Sequence, residues 1–128
     1  MKKVIIIGSS IAGASAACLL AKHCDVVVYE QKSRKKIGEK LCANVVTKSF
    51  LKYAEMLGLN PKRYVTYKFD KAIIFTETNK LEQKTEEFKI NRKKLIDDLI
   101  SLAEKRGAKF VFNTEFKDFK KENGRYIV

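Results

Sequence analysis

Apolar and polar positions divide the chain into blocks of different period. Val4 to Ile7 is an uninterrupted apolar run closed by Gly8-Ser9-Ser10-Ile11-Ala12-Gly13. The next stretch, about Ile11 to Lys22, carries Ala12, Ala14, Ala16, Ala17 and Ala21 with Leu19 and Leu20. It predicts a helix whose small side chains let it lie close on a sheet. Val26-Val27-Val28 is a second apolar run, the pattern of a parallel strand buried on both faces. Asn44 to Leu57 predicts a second helix, with Val46, Phe50, Tyr53, Ala54 and Leu57 at helical spacing and Gly58 and Pro61 as stops. From Tyr64 to Ile90 the period changes to two, which predicts three short antiparallel strands with Asn79 in a turn. A third helix opens on Asn91 as N-cap, shows Leu95, Ile96, Leu99, Leu102 and Ala103 on one face, and ends at Gly107. Phe110 to Phe112 predicts another buried parallel strand. A strand from Glu115 to Lys121 then leads into Asn123-Gly124, a two-residue hairpin turn, with Arg125 to Val128 beginning the return.

The first block ends on an acid. Strand, glycine turn, helix and second strand are followed by Glu30, about 20 residues beyond Gly8, which is the order of a dinucleotide-binding βαβ unit. Gly8 permits a backbone conformation that a side chain would obstruct. The turn presents N–H groups of a helix N-terminus, where the dipole also favours a pyrophosphate. Gly13 removes a side chain where helix and strand approach closely. Glu30 is the candidate acceptor for ribose hydroxyls. One position departs from G-x-G-x-x-G: Ser10 replaces the second glycine, with a small side chain whose hydroxyl can itself bond a phosphate oxygen.

Right-handed crossovers place the Phe110 strand beside the Val26 strand, and that beside the Ile5 strand. The expected fold is α/β and Rossmann-like. It has a three-stranded parallel sheet, a small antiparallel insertion at 64–90 and a truncated C-terminal hairpin, all within one domain, 1–128. Three strands make a narrow sheet and the hairpin's return is short. The chain therefore reads as the front part of a larger protein, as a fragment or a split polypeptide. Phe116, Phe119 and Tyr126 are then candidates for contact with a second copy or a second chain.

Composition changes this picture little. With 128 residues and 45% hydrophobic content the chain can bury one core. No apolar run approaches the ~18 residues of a membrane span, and the start lacks a secretory pattern. Three cysteines without metal-ligand spacing suggest a reducing cytoplasm. The net charge of +12 admits a nucleic acid or a peripheral contact with an anionic membrane surface. Because the lysines are scattered among acids, a lysine-rich proteome is the simpler account, and no specific nucleic-acid partner is expected. No Ser-His-Asp set, metal cluster or paired acid is visible.

Beyond these patterns the sequence resembles the N-terminal part of the geranylgeranyl reductase family, among the p-hydroxybenzoate hydroxylase-like flavoproteins. The resemblance rests on the G-S-S-I-A-G turn with Glu30, on Ile37-Gly38-Glu39-Lys40-Leu41-Cys42, on Asn91-Arg92 and on R-G-A-K-F-V-F-N-T, and it covers nearly the whole chain. It implies FAD as cofactor. Gly8, Ser9, Ser10, Ile11, Ala12 and Gly13 would hold the pyrophosphate, and Glu30, Gln31 and Lys32 the adenosine ribose side. Lys40, Leu41, Cys42 and Ala43 would run beside the flavin, Arg92 would support the ribityl phosphate, and Phe116 would meet adenine through backbone groups. Ala43 and Asn44 depart from the glycine usual after the cysteine. The implied activity is an FAD-dependent oxidoreductase acting on an isoprenoid or other apolar small molecule, and this chain alone would be incomplete.

Read without the resemblance, the same residues admit other uses. Cys42 is a candidate flavin-adjacent thiol and catalytic group if its pKa is lowered, or a small buried hydrophobe if not. Cys18, within the first helix, and Cys24, just after it, read as structural, and His23 reads as a helix-end residue. The basic loop Lys32 to Lys36 reads as solvated. Arg92, unfavourable at a helix N-terminus by the dipole argument, favours an anion there. An NAD-binding module is the alternative, since Glu30 suits NAD and repels the 2′-phosphate of NADP. A non-catalytic basic binding or assembly module is the third reading.

Overall fold

The computed structural model describes the backbone of residues 1–127 and the side chains of residues 1–124. Val128 and the side chain of Tyr126, one of the expected contact residues, lie outside what is described. The chain divides into two units, Met1–Glu39 with Ile96–Val128, and Lys40–Leu95. The second contains the insertion expected at 64–90 and extends beyond both its ends.

The first unit is built on a parallel sheet of β1 (Lys3–Ile7), β2 (Asp25–Tyr29) and β6 (Lys109–Val111), in the order β1-β2-β6. This is the predicted order. Val4 pairs with Val26, Ile6 with Val28, and Val28 with Phe110, so these five residues share one face of the sheet. They pack with Ala17 and Cys18 of α1 (Ile11–Leu20) and with Ala103 and Ala108, in a cluster whose central members Ala17, Cys18, Val26, Val28 and Ala103 are wholly buried. Ala14, Ala17 and Cys18, at helical spacing, are the buried stripe of α1, and their small size is what lets the helix lie close on the strands. α1 stops at Leu20, two residues before the predicted end, because Ala21–Cys24 forms a turn in which His23 and Cys24 both donate to the Leu20 carbonyl. Val27 is only partly buried, so β2 is sealed on one face and not on both.

α3 (Arg92–Lys105) contributes Ile96, Leu99, Ile100 and Ala103 to this unit, none more than 1% exposed. It ends as predicted: Gly107 has φ +102°, its N–H bonds the Glu104 carbonyl, and Ala108 bonds back to Ala103. Arg106 donates to the carbonyl and to Sγ of Cys18 at 3.0 and 2.8 Å, tying the end of α3 to α1. Burial pushes the Cys18 thiol up, and the Arg106 charge opposes this only in part. Cys18 is thus structural, as expected. The basic loop is not simply solvated. A short 3₁₀ turn, Arg34–Lys36, brings Arg34 into a bidentate pair with Glu104 (3.0 and 2.8 Å), a hydrogen bond to Ser101 (2.9 Å) and a place over the Phe112 ring.

The strand expected over Glu115–Lys121 is confined to β7 (Lys120–Glu122), which pairs with β8 (Arg125–Ile127) through the Asn123-Gly124 turn. Asn123 and Gly124 have φ +49° and +76°, the positive values that such a turn requires. Three residues therefore face three, and the imbalance expected from a longer outgoing strand is absent. Phe116 is half-buried and stacks on Phe119, with ring centres 6.4 Å apart.

The second unit corrects two predictions. Asn44–Thr47 is not helical: Asn44 has φ +57°, and Val45–Thr47 forms β3, antiparallel to the strand Lys80–Ile90. β-Branched side chains at 45–47 fit a pleated surface better than a helix. α2 runs only over Lys48–Leu57, and Gly58 at φ +96° ends it. The segment 64–90 holds two long strands and not three short ones. β4 (Val65–Phe75) and β5 (Lys80–Ile90) form a hairpin, and β3 supplies the third strand in the order β3-β5-β4. Thr76 and Asn79 close the tip through each other's backbone and the Thr76 hydroxyl. β4 is an edge strand whose register is broken by irregularities at Val65/Tyr67 and at Phe69/Lys71, whereas Ala72 to Phe75 pair regularly. Asn91 caps α3 as predicted, accepting from the Lys94 N–H at 3.0 Å.

Candidate functional site

Three features fix the turn between β1 and α1. Gly8, at φ +88°, donates its N–H to the Tyr29 carbonyl at 2.8 Å and so joins the ends of β1 and β2. A Cβ built on Gly8 would meet no atom within 4 Å, so glycine is required there by conformation and not by crowding. Gly13 is the opposite case. A Cβ there would lie 1.9 Å from the Gly8 carbonyl oxygen and 3.4 Å from Ile6 Cγ2, and the helix can start this close to the strand only without a side chain.

Glu30 supplies the third. It is 7% exposed, and its Oε2 accepts from the N–H of Ser9 at 2.8 Å and from the Ser9 hydroxyl at 3.0 Å. Oε1 accepts from the Lys32 N–H at 2.8 Å. Its backbone is pinned as well, by Glu30 N–H to the Val111 carbonyl and Thr114 N–H to the Glu30 carbonyl. Burial pushes the carboxyl up. The N–H of Lys32, the N–H and hydroxyl of Ser9 and the Lys32 charge outweigh it, and the group is held below the ordinary carboxylate value.

The predicted turn residues are therefore brought together, with one change of role. Ser9 is wholly buried and gives both its donors to Glu30, so it lines the acid and not the open side of the turn. Ser10 and Ala12 are exposed at the start of α1, with Ser10 in the extended conformation of an N-cap. The first turn of a helix leaves its N–H groups without intrahelical acceptors, and here these belong to Ile11, Ala12 and Gly13. No acidic side chain stands in that turn. Glu30, Gln31 and Lys32 follow β2 directly, with Gln31 and Lys32 exposed. Phe116 belongs to the same unit, after the Thr114 that bonds Glu30. An adenine dinucleotide fits this chemistry: open N–H donors and a helix dipole for phosphate, and an ionised acid beside them for ribose.

Lys40, Leu41, Cys42, Ala43 and Arg92 belong to the second unit. Leu41, Cys42 and Ala43 are exposed. Cys42 Sγ accepts from the Asn44 N–H at 3.5 Å, a bond made possible by the left-handed Asn44. That N–H first, then the Arg92 guanidinium and the Lys40 charge, hold the Cys42 thiol below its usual value against the desolvation that raises it. Arg92 is half-buried in the first turn of α3. Sequence reading missed the Ser9–Glu30 and Arg34–Glu104 pairs. Ser9 was recognisable as a turn residue, but nothing along the chain says which way its hydroxyl points. Among the described residues no cluster of histidine, cysteine and acids could hold a metal ion, and no helix is long and apolar enough to cross a membrane.

Comparison with known proteins agrees with the fold. The family of NAD(P)-binding Rossmann-like domains matches residues 6–38, from the end of β1 through the turn, α1, β2 and the basic loop. No curated protein matches the sequence. Among solved structures, the chain is similar to a geranylgeranyl bacteriochlorophyll reductase-like protein from Thermoplasma acidophilum, with a TM-score of 0.77 and 22% identity over 98% of this chain and 34% of that one. It is similar to PqsL of P. aeruginosa, with a TM-score of 0.76 and 16% identity over 98% of this chain and 40% of that one. The flavin-dependent halogenase CmlS gives a TM-score of 0.73 and 19% identity over 99% of this chain and 27% of its own. At these identities the likeness is one of fold, and the chain spans less than half the length of each of these proteins.

Proposed function

We propose that the chain binds FAD, with its adenosine diphosphate half on the Gly8–Gly13 turn, as the nucleotide-binding part of a flavin-dependent oxidoreductase. The observation that carries this reading is the buried Glu30, held ionised at the C-terminal end of β2 beside the open N-terminus of α1. N–H groups of Ser10 to Gly13 would hold the pyrophosphate, and Glu30 would accept a ribose hydroxyl. Bound FAD supplies redox chemistry that no side chain offers. Cys42, exposed and with a depressed pKa, is the candidate to stand near the flavin, with Lys40, Leu41, Ala43 and Arg92 around it. Likeness to the geranylgeranyl bacteriochlorophyll reductase-like protein supports an isoprenoid or other apolar substrate, whose binding would need residues outside the 34% of that protein's length spanned here.

The family match to NAD(P)-binding domains favours NAD as the second reading, and Glu30 would accept its ribose in the same way. Calorimetric titration of the purified chain with FAD, ADP, NAD and NADP separates the two. FAD and ADP are expected to bind with similar affinity, because the Gly8–Gly13 turn and Glu30 would both meet the adenosine diphosphate half that the two share. NAD bound more tightly than FAD would sink the flavin assignment, and no binding of any of the four would sink the nucleotide reading.

A further inference from the structure

Resting on that nucleotide-binding reading, we propose that Ser9 is a positioning residue: it saturates Oε2 of Glu30 and leaves the carboxylate a single acceptor site, on Oε1, for one ribose hydroxyl. Ser9 is wholly buried and cannot touch a ligand on the open side of the turn. Its N–H and its hydroxyl both donate to Oε2, at 2.8 and 3.0 Å, while Oε1 takes the Lys32 N–H at 2.8 Å. A carboxylate offers about four lone-pair sites, so these three donors leave about one. A ribose diol presents two hydroxyls, and only one of them can be satisfied by Glu30.

The backbone donors of Ser9 and Lys32 come with the turn whatever the side chains are. The Ser9 hydroxyl is the donor that this sequence adds. It acts on Glu30 in two ways, fixing the plane of the carboxylate and favouring its charged form. The group has few other electrostatic neighbours to confuse the effect. Lys32, on its own loop, is the charge that bears on it, the Ser9 side of the turn brings no titrating group, and Thr114 and Val111 meet only its backbone.

The test measures ADP, 2′-deoxy-ADP and 3′-deoxy-ADP binding to the full chain and to Ser9→Ala, Ser9→Gly and Ser9→Thr, by calorimetry from pH 8 to pH 4.5. The wild type should lose about tenfold in affinity with one deoxy analogue and less than about twofold with the other. Ser9→Ala and Ser9→Gly, which remove the hydroxyl without adding bulk, should begin to lose ADP at a higher pH than the wild type. Ser9→Thr, which keeps the hydroxyl, should restore the wild-type pH profile. Thermal melts of each variant at every pH of the titration separate these effects from a loss of fold. Comparable losses with both analogues in the wild type, or Ser9→Ala and Ser9→Gly profiles that superimpose on the wild type, would overturn the role of Ser9 alone. Failure of the wild type to bind ADP at any pH would instead overturn the nucleotide reading on which it rests.

Discussion

The Gly8 carbonyl oxygen occupies the space that a Gly13 side chain would need, 1.9 Å from where its Cβ would be. The two glycines of the turn thus serve different ends. Gly8 buys a positive φ, and Gly13 clears room for the carbonyl that this φ turns toward the helix.

Alanine at the two positions should therefore behave unequally. Gly8→Ala meets no atom and carries only the backbone strain of a left-handed residue, about 1–2 kcal/mol. Gly13→Ala must push the helix from the strand, which places it at or beyond the ~3 kcal/mol upper range of overpacking. Thermal denaturation of both variants checks this, together with ADP titration. Equal melting temperatures would contradict the assignment of the crowding to position 13.

Glu30 makes stability depend on pH in a defined direction. Its folded carboxyl pKa is depressed, so the stabilisation is fully present above the ordinary glutamate value, about 4.3, and is lost as pH falls through the lower folded value. Glu30→Gln should be less stable than wild type at pH 7, by about 1–3 kcal/mol, since one amide group cannot accept from all three donors. The gap should narrow below pH 4. Denaturant melts at pH 7 and pH 3 with an unchanged gap would show that the carboxylate charge is not what Ser9 and Lys32 hold.

Arg34 links the loop after β2 to α3. Its pair with Glu104 is more than a third exposed on both sides, and an exposed pair is worth at most ~1 kcal/mol. The further hydrogen bond to Ser101 and the Phe112 ring raise the expectation for Arg34→Ala to about 1–2 kcal/mol. Arg34→Lys should recover less than half, because an ammonium cannot reproduce the bidentate geometry. A double-mutant cycle with Glu104→Gln reads the coupling directly, and a coupling near zero would reduce Arg34 to a solvated charge.

Cys42 should be the reactive thiol. Iodoacetamide should modify it first, with a pH midpoint below the ordinary cysteine value of about 8.5, while buried Cys18 stays inert until unfolding. Arg92→Gln should raise that midpoint. A midpoint unmoved by Arg92→Gln would mean that the guanidinium does not act on the thiolate.

The parts of the fold legible in the sequence were those specified locally. Gly8, Gly13 and Glu30 announce their element boundaries within one βαβ unit, and Asn91 and Gly107 mark the ends of α3 with their own side chain or lack of one. What stayed hidden depends on partners distant along the chain. Val45–Thr47 continues the helical spacing of Phe50, Tyr53 and Leu57, and only its pairing with Glu87–Lys89 makes it a strand. Arg34 reads as one more solvated lysine-like charge until Glu104 is folded against it. Within the candidate site, the positions in the turn were readable. The direction of the Ser9 hydroxyl was not, because the same serine could face phosphate or acid with no change in the pattern.

The regular outer half of β4 bears on how copies of the chain behave in solution. Irregular register and the Lys68 and Lys71 side chains guard its inner half, but Ala72-Ile73-Ile74-Phe75 offers an uncharged, regularly hydrogen-bonding border, with Phe75 72% exposed. Against the pairing of two such borders stands the mutual repulsion of chains of net charge +12. That repulsion reaches only ~10 Å in 0.1 M salt and ~3 Å in 1 M. Colloidal stability thus resides in the solvent as much as in the chain, and salting during purification would expose a sticky border that dilute buffer conceals.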